Sequence, residues 1–170
     1  MSRTPTRVVI WRAAGHALVV ADILRLTADV DLVGCLDDDP ARRGGVFGGM
    51  KIIGGRHDLK AIHGDGVHEI AIGFGDCQGR LAAVDIVAEA GRALHTAIHP
   101  RAIVADTATV GAGTVVAAGA IVGVAARVGR VVIVNTAASI DHECVVDDGA
   151  HFGPGASLRG PGSRATRGGR

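Results

Sequence analysis

The chain has 170 residues, 48% of them hydrophobic, which is enough to bury the core of one ordinary domain or two small ones. Its 18 Lys and Arg residues nearly balance its 17 Asp and Glu residues, so net charge does not direct it to nucleic acid or to an acidic membrane surface. Three scattered cysteines, no apolar run of membrane-spanning length and no convincing signal-peptide cleavage site predict a soluble cytoplasmic protein.

The first half of the chain alternates strand-like and helix-like segments. Strands are predicted at 7–11, 30–39, 51–55 and 68–76. Helices are predicted at 16–28 and 79–91, with a short one at 58–64, and Gly91 is the expected stop of the last helix. Strands that alternate with helices indicate a parallel sheet. We therefore predict a Rossmann-like α/β domain over residues 1–100.

The second half has a strict period of six. From residue 104, ten consecutive units each begin with an aliphatic or aromatic residue: Val104, Val110, Val116, Val122, Val128, Val134, Ile140, Val146, Phe152 and Leu158. The residue four places later is small in almost every unit. Such a unit is too short for a helix pair, so it predicts one side of a triangular β-solenoid over residues 101–160. Positions 18 apart should stack, which places Val104, Val122, Ile140 and Leu158 in one column.

The segment after Leu158 departs from this pattern. It is rich in Arg and Gly and has no aliphatic core residue. Composition predicts that residues 161–170 are disordered and that the solenoid is incomplete at its C-terminus. A truncated or frame-shifted reading frame would explain this, and so would a natural short variant whose tail orders in an oligomer.

One polar stretch of the repeat, residues 135–155, carries the candidate chemistry. His142 lies between Asp141 and Glu143, two residues after Ile140 and hence near a corner of the coil. A neutral imidazole suits proton removal at neutral pH, and a neighbouring carboxylate can set its tautomer. A zinc site is disfavoured because only two histidines lie inside the repeats. Cys144 occupies a small-residue position and is expected to pack in the core.

The ten hexads, the α/β half before them and the run NTAASIDHEC at 135–144 resemble the hexapeptide-repeat sugar O- and N-acetyltransferases. The type is that of sialic acid O-acetyltransferases and nucleotide-amino-sugar N-acetyltransferases. The resemblance implies a left-handed β-helix, acetyl-CoA as co-substrate, no metal, and a homotrimer with active sites between subunits. It implies His142 as general base, with Glu143 preferred to Asp141 as its orienting carboxylate. It also places His151, Gly153 and Gly160 at the CoA.

The same resemblance implies that the first domain binds a nucleotide sugar. The family has a GAGGH-like turn after its first strand, where residues 12–16 read RAAGH, so only Gly15 and His16 match. Substrate contacts are further expected at Asp37, Asp38, Asp76 and Arg80. A solvated acidic turn at Asp37 and Asp38, and helix capping by Asp76, are the structural alternatives.

Together these features predict an acetyl-CoA-dependent acetyltransferase that acts on a sugar or a nucleotide-linked amino sugar. The alternative is a catalytically inactive nucleotide-sugar-binding or assembly module of the same fold. The altered turn at residues 12–14 and the irregular C-terminal segment favour that alternative. The absence of a GxGxxG motif argues against a dinucleotide-dependent oxidoreductase.

Overall fold

The structure, a computed structural model, describes residues 4–62 and 66–166. The chain separates into two compact units. The first comprises Met1–Phe74 and Ala82–His95, and the second comprises Gly75–Leu81 and Thr96–Arg170. Within the described residues, no helix combines the length and the apolar character needed to cross a membrane.

The first unit is built on a six-stranded sheet with the order β3-β4-β2-β1-β5-β6. Its elements are β1 (Thr6–Trp11), α1 (Gly15–Leu26), β2 (Val30–Leu36), β3 (Val46–Phe47), β4 (Met50–Gly54), β5 (Glu69–Ile72), α2 (Cys77–Glu89) from Ala82 onward, and β6 (Ala93–Leu94). All pairings are parallel except the β3–β4 hairpin. The predicted Rossmann-like α/β architecture is confirmed; within the described residues, the sequence did not predict the two-residue strands β3 and β6 or the 3₁₀ turn Pro40–Arg42.

The core of this unit follows from its apolar patterns. Val8, Val9 and Ile10 in β1 are fully buried, as expected for the central strand of a parallel sheet. Helix α1 buries one stripe: Ala17, Val20, Ala21, Ile23 and Leu24. Helix α2 ends as predicted, because Gly91 has a φ of 69° and the Arg92 N–H donates to the Val87 carbonyl.

The short helix predicted at 58–64 is replaced, over its described residues, by 3₁₀ turns. The first of them spans Arg56–Asp58. The Asp58 carboxylate accepts the Gly55 N–H at 3.0 Å, which caps the start of this turn. Residues 63–65 of the predicted helix lie outside the described residues.

The second unit is a left-handed β-helix made of two-residue strands. These are β7 (Ala97–Ile98), β8 (Ile103–Val104), β9 (Thr109–Val110), β10 (Val115–Val116), β11 (Ile121–Val122), β12 (Arg127–Val128), β13 (Ile133–Val134), β14 (Ser139–Ile140), β15 (Val145–Val146), β16 (His151–Phe152), β17 (Ser157–Leu158) and β18 (Arg164–Ala165). They form three parallel sheets, β7-β10-β13-β16, β8-β11-β14-β17 and β9-β12-β15-β18. The hexad prediction is therefore confirmed.

The stacking register matches the 18-residue coil. Val104 pairs with Val122, Val122 with Ile140, and Ile140 with Leu158. From β8 to β18 the second residue of each strand points inward, and these residues form one core with the small residues of the corners. Burial of these aliphatic side chains, at about 25 cal/mol per Å² of apolar surface, provides the main stabilisation of the stack.

Both ends of the solenoid differ from the prediction. It begins one strand earlier, because β7 pairs with β10. It also continues past Leu158, because β18 pairs with β15 in a register lengthened by one residue. The strand Arg164–Ala165 is held because the Ser163 and Ala165 carbonyls accept the Val145 and Asp147 N–H groups of the preceding coil, and the small Ala165 packs on the core. Residues 167–170 of the tail predicted to be disordered lie outside the described residues.

The corners of the coil share one backbone device. Glycines occupy the left-handed region at several corners, but Ala125, Val131, Ala137 and Glu143 also do so, with φ between 48° and 57°. The N–H of each of the last three donates to a carbonyl of the preceding coil at 2.9–3.0 Å. This inter-coil bond imposes the left-handed conformation even where the residue has a Cβ, at a cost of about 1–2 kcal/mol.

Candidate active site

The polar pair singled out by sequence lies on an exposed corner. His142 and Glu143 form the turn between β14 and β15, with the fully buried Ile140 just before it. Their side chains are 49% and 62% exposed, and His142 Nδ1 lies 3.2 Å from Glu143 Oε2. The left-handed φ of Glu143 belongs to the corner geometry, so the coil itself sets the backbone of this pair.

This contact assigns the two imidazole nitrogens of His142. An ionised carboxylate can only accept hydrogen bonds, so Nδ1 carries the proton and donates to Glu143. Nε2 is then left with its lone pair and can accept a proton from a substrate. The pair therefore has the form of a general base with an orienting carboxylate.

Asp141 contacts the backbone of His142, whereas Glu143 contacts its imidazole ring. Its Oδ1 accepts the backbone N–H of His142 at 2.8 Å. That hydrogen bond is the main cause of a lowered pKa for Asp141, because it favours the ionised carboxylate. Of the two candidate orienting carboxylates, Glu143 is therefore the one that contacts the imidazole ring, while Asp141 supports the turn.

A cavity of about 310 Å³ adjoins this corner. It is lined by Ala125, Arg127, Glu143, Pro161 and Gly162. Arg127 occupies an outward position of β12 and is exposed, so it brings a positive charge to the cavity that Glu143 also lines. Sequence reasoning missed Arg127; the available signal was a charged residue at an outward position of a hexad.

Two of the three residues expected at the cofactor line another cavity. His151 and Gly153 contribute to a space of about 480 Å³ at the last coil. The pKa of His151 is lowered, first by burial and second by the positive charge of Arg80. Gly160 is not among its lining residues; it lies in the turn before β18, where its carbonyl accepts the Cys144 thiol at 3.2 Å.

Asp76 and Arg80, both expected to bind substrate, are engaged within the protein. The Asp76 carboxylate accepts the Gly79 N–H at 2.5 Å and so caps helix α2, as in the structural alternative. Arg80 is 1% exposed and donates to the carbonyls of Val131 and Gly149. A guanidinium buried in this way has no face left for a substrate.

The turn after β1 accommodates the departure from glycine. Arg12 has a φ of 79°, the conformation for which glycine is the usual residue. Its guanidinium lies 5.8 Å from the centre of the Phe74 ring, a cation–π contact that offsets part of the strain. Gly15 and His16 then open helix α1.

Asp37 and Asp38 follow β2 and line a cavity of about 190 Å³. Asp37 Oδ2 accepts Arg42 Nη1 at 2.6 Å and the Ala13 N–H at 3.3 Å, so it connects the end of β2 with the turn after β1. Asp38 Oδ1 accepts the Arg56 N–H at 2.8 Å. Arg42, whose place at this turn the sequence does not predict, also donates to the Ala13 carbonyl.

The remaining candidates belong to the core or form no cluster. Cys144 is fully buried, and burial raises the pKa of its thiol, which fits core packing and not a nucleophile. Among residues 4–62 and 66–166, no group of three or more His, Cys, Asp or Glu side chains is placed to hold a metal ion.

Comparison with known proteins defines the class. Residues 7–87 match the family described as the PglD N-terminal domain. The acetyltransferase domain of PglB from Neisseria gonorrhoeae FA1090, solved with acetyl coenzyme A, is 33% identical with a TM-score of 0.84. The match covers 92% of this chain and 74% of that one. The chain therefore belongs to the hexapeptide-repeat sugar N-acetyltransferase family.

Two further structures are similar. A histidine-to-alanine variant of the GDP-perosamine N-acetyltransferase from Caulobacter crescentus, in complex with CoA and GDP-perosamine, is 29% identical with a TM-score of 0.84. That match covers 92% of this chain and 73% of the other. WeeI from Acinetobacter baumannii AYE, 17% identical with a TM-score of 0.69 over 89% of this chain and 72% of its own, shares the fold. A comparison with curated proteins gives no match.

Proposed function

We propose that the chain transfers the acetyl group of acetyl-CoA to the amino group of a sugar carried on a nucleotide. The observation that carries the proposal is the His142–Glu143 pair, 3.2 Å apart on an exposed corner of the β-helix. The similar PglB acetyltransferase domain holds acetyl coenzyme A, and the similar GDP-perosamine N-acetyltransferase, whose name specifies N-acetyl transfer, holds CoA together with GDP-perosamine.

The transfer needs one proton acceptor. The sugar amine attacks the thioester carbonyl, the C–N bond forms and the C–S bond breaks. His142 Nε2 takes the proton that the nitrogen loses, and the CoA sulfur leaves as a thiolate that takes up a proton. Glu143 stabilises the imidazolium through Nδ1–H, as the orienting carboxylate does in other base pairs of this kind. The products are an N-acetylated sugar nucleotide and free CoA.

The remaining candidates receive binding roles. Arg12 and the first turn of α1, with Gly15 and His16, supply a cation and backbone N–H groups for a diphosphate. Asp37 and Asp38 suit the hydroxyl groups of a ribose or the edge of a base. His151 and Gly153 serve the acetyl-CoA side of the reaction, and a homotrimer is the proposed assembly.

The test is an acetyl-transfer assay on the purified chain, with acetyl-CoA and a panel of nucleotide-linked amino sugars. Release of the CoA thiol and the mass of the sugar product are measured together. We expect turnover with at least one amino sugar, and His142→Ala should lower kcat/KM about 10²–10⁴-fold. Asp106→Ala is the matched control, since Asp106 is an exposed residue at the same position of a corner, two coils earlier.

The controls separate failure of catalysis from failure of folding. Asp106→Ala should keep the activity of the unaltered chain. If the chain binds CoA and a sugar nucleotide but gives no acetylated product, the proposal fails and the inactive binding module is the better account. If His142→Ala retains full activity, His142 is not the base.

A further inference from the structure

Arg80 is the largest side chain that is fully buried among the described residues. Its guanidinium forms no ion pair with a carboxylate among residues 4–62 and 66–166; it donates to main-chain carbonyls and, through Nη2 at 3.6 Å, to the Cys77 sulfur. Nε donates to Val131 at 2.8 Å, and Nη2 donates to Gly149 at 2.7 Å and to Ala150 at 3.2 Å. Nη1 donates to Gly75. These carbonyl dipoles replace the water that would hydrate the guanidinium, so the buried side chain can keep its positive charge.

Three of the four carbonyls that Arg80 contacts, those of Val131, Gly149 and Ala150, belong to two stacked corners of the β-helix. Val131 lies in the corner before β13, and Gly149 occupies the equivalent place one coil later, before β16. Both have left-handed backbones, with φ of 48° and 74°. A β-branched residue is a marked outlier in that region, so the corner at Val131 needs support from its surroundings.

We infer that Arg80 is a positioning residue for acetyl transfer, because it ties the segment Gly75–Leu81 to these two stacked corners and so fixes the backbone from which His151 projects. Its catalytic consequence rests on the proposed function. The role differs from the substrate contact that the sequence predicts, since a side chain 1% exposed cannot reach a substrate.

His151 is the proposed site residue on which the hydrogen bonds and the charge of Arg80 act. It follows directly on Ala150, whose carbonyl Arg80 holds, and it is the outward residue of β16. Its strand neighbour on β13 is the uncharged Ile133. Arg164, which lines the same cavity, is paired with Asp147. Burial and, second, the charge of Arg80 lower the pKa of His151, which favours the neutral imidazole.

Substitution can separate the charge from the geometry. Arg80→Gln removes the positive charge and most of the donors, whereas Arg80→Lys keeps the charge but loses the planar fork. Arg92→Gln is the matched control. Arg92 is another buried arginine that donates to main-chain carbonyls, of Leu59 and Lys60, but it does so in the first unit.

The experiment is a pH titration of the His151 Cε1–H resonance, assigned with His151→Gln, on the unaltered chain and the three variants. The kcat and KM of each are measured below its melting temperature. We expect Arg80→Gln to raise the pKa of His151 toward its ordinary value and to lower kcat/KM about 10- to 100-fold. Arg80→Lys should keep the titration close to that of the unaltered chain but shift the resonance. Arg92→Gln should lower the melting temperature alone.

An unchanged His151 resonance and pKa in Arg80→Gln would overturn the inference, as would activity losses that merely follow the loss of stability in Arg80→Gln and Arg92→Gln alike. If Arg80→Gln does not fold, Arg80→Lys decides: a shifted resonance supports the inference, and an unshifted one refutes it. The titration needs no turnover. An inactive chain whose His151 still responds to Arg80 would therefore refute the proposed function and leave the anchor standing.

Discussion

Two corners of the β-helix have nearly the same backbone and opposite surroundings. At Asp141–Cys144, the N–H of the left-handed residue Glu143 donates to the Val124 carbonyl of the preceding coil. At Asp147–Ala150, the N–H of Gly149 donates in the same way to Arg130. The first corner presents exposed polar side chains, whereas in the second the carbonyls of Gly149 and Ala150 are held by a buried arginine.

The difference shows how a repeat can vary its outward side chains without losing its fold. Inter-coil bonds and inward aliphatic residues define the corner, and neither depends on the side chains that point outward. The first corner can therefore hold His142 and Glu143 at little risk to the stack. At the second corner, the backbone carbonyls can accept hydrogen bonds from the Arg80 side chain. Each of the following changes tests one side of this contrast.

The largest expected effect is on the anchored corner. A Cβ at Gly149 would meet the Leu81 side chain at 2.9 Å in a backbone with φ of 74°. Gly149→Ala should therefore lower the free energy of unfolding by about 2–4 kcal/mol, from left-handed strain plus overpacking. Gly155→Ala is the control, because its φ is 68° and nothing lies within 4 Å. Urea denaturation measures both, and equal losses would show that Leu81 does not confine this corner.

A smaller effect is expected at the exposed corner. Glu143→Gln keeps the length of the side chain but removes the negative charge that, in the proposed mechanism, stabilises the His142 imidazolium. The value of kcat should fall about tenfold, corresponding to about 1.4 kcal/mol, with little change in stability. Steady-state assays measure kcat, and thermal melts measure the change in stability. Unchanged kcat would mean that Glu143 shapes the turn without assisting the base, and Glu143→Gly, which removes the carboxylate and the strain together, would then be fully active.

A modest gain in stability is expected when the exposed, left-handed residue Ala137 is replaced by glycine. Ala137 is exposed and has a φ of 56°. Ala137→Gly relieves the left-handed strain but increases the freedom of the unfolded chain, so the free energy of unfolding should rise by about 0.5–1 kcal/mol. Chemical denaturation checks the sign. A loss of stability would show that the inter-coil bond does not compel this backbone.

The smallest effect is a pH dependence of stability. The folded pKa of His151 lies below its unfolded value of 6.5, because of burial and then Arg80. As pH falls through 6.5, the unfolded chain takes up this proton before the folded chain does, so stability must fall with decreasing pH from there down to the folded pKa. His151→Gln should flatten this part of the curve, as measured by denaturation between pH 7.5 and about 5. An identical slope in both chains would contradict the lowered pKa.

Much of the molecule could be read from residue types at fixed spacing. Ten aliphatic or aromatic residues at a period of six determine the coil, since only a three-sided stack buries all of them. Alternating strand and helix patterns likewise determine the sheet of the first unit. His142 and Glu143 were found because polar residues stand out at a corner of so regular a pattern.

The tertiary structure alone decided which polar groups are paired and which face solvent. It assigned the ring contact to Glu143 and the turn to Asp141. It turned Arg80 from an expected substrate contact into a buried anchor, and it ordered Arg164–Ala165, a segment whose composition suggests disorder. The periodicity of the sequence predicts whether a side chain points into the core or toward solvent. The Arg80 guanidinium, by contrast, donates to carbonyls of residues 51 to 70 positions away in the sequence. Only the folded chain brings these residues together.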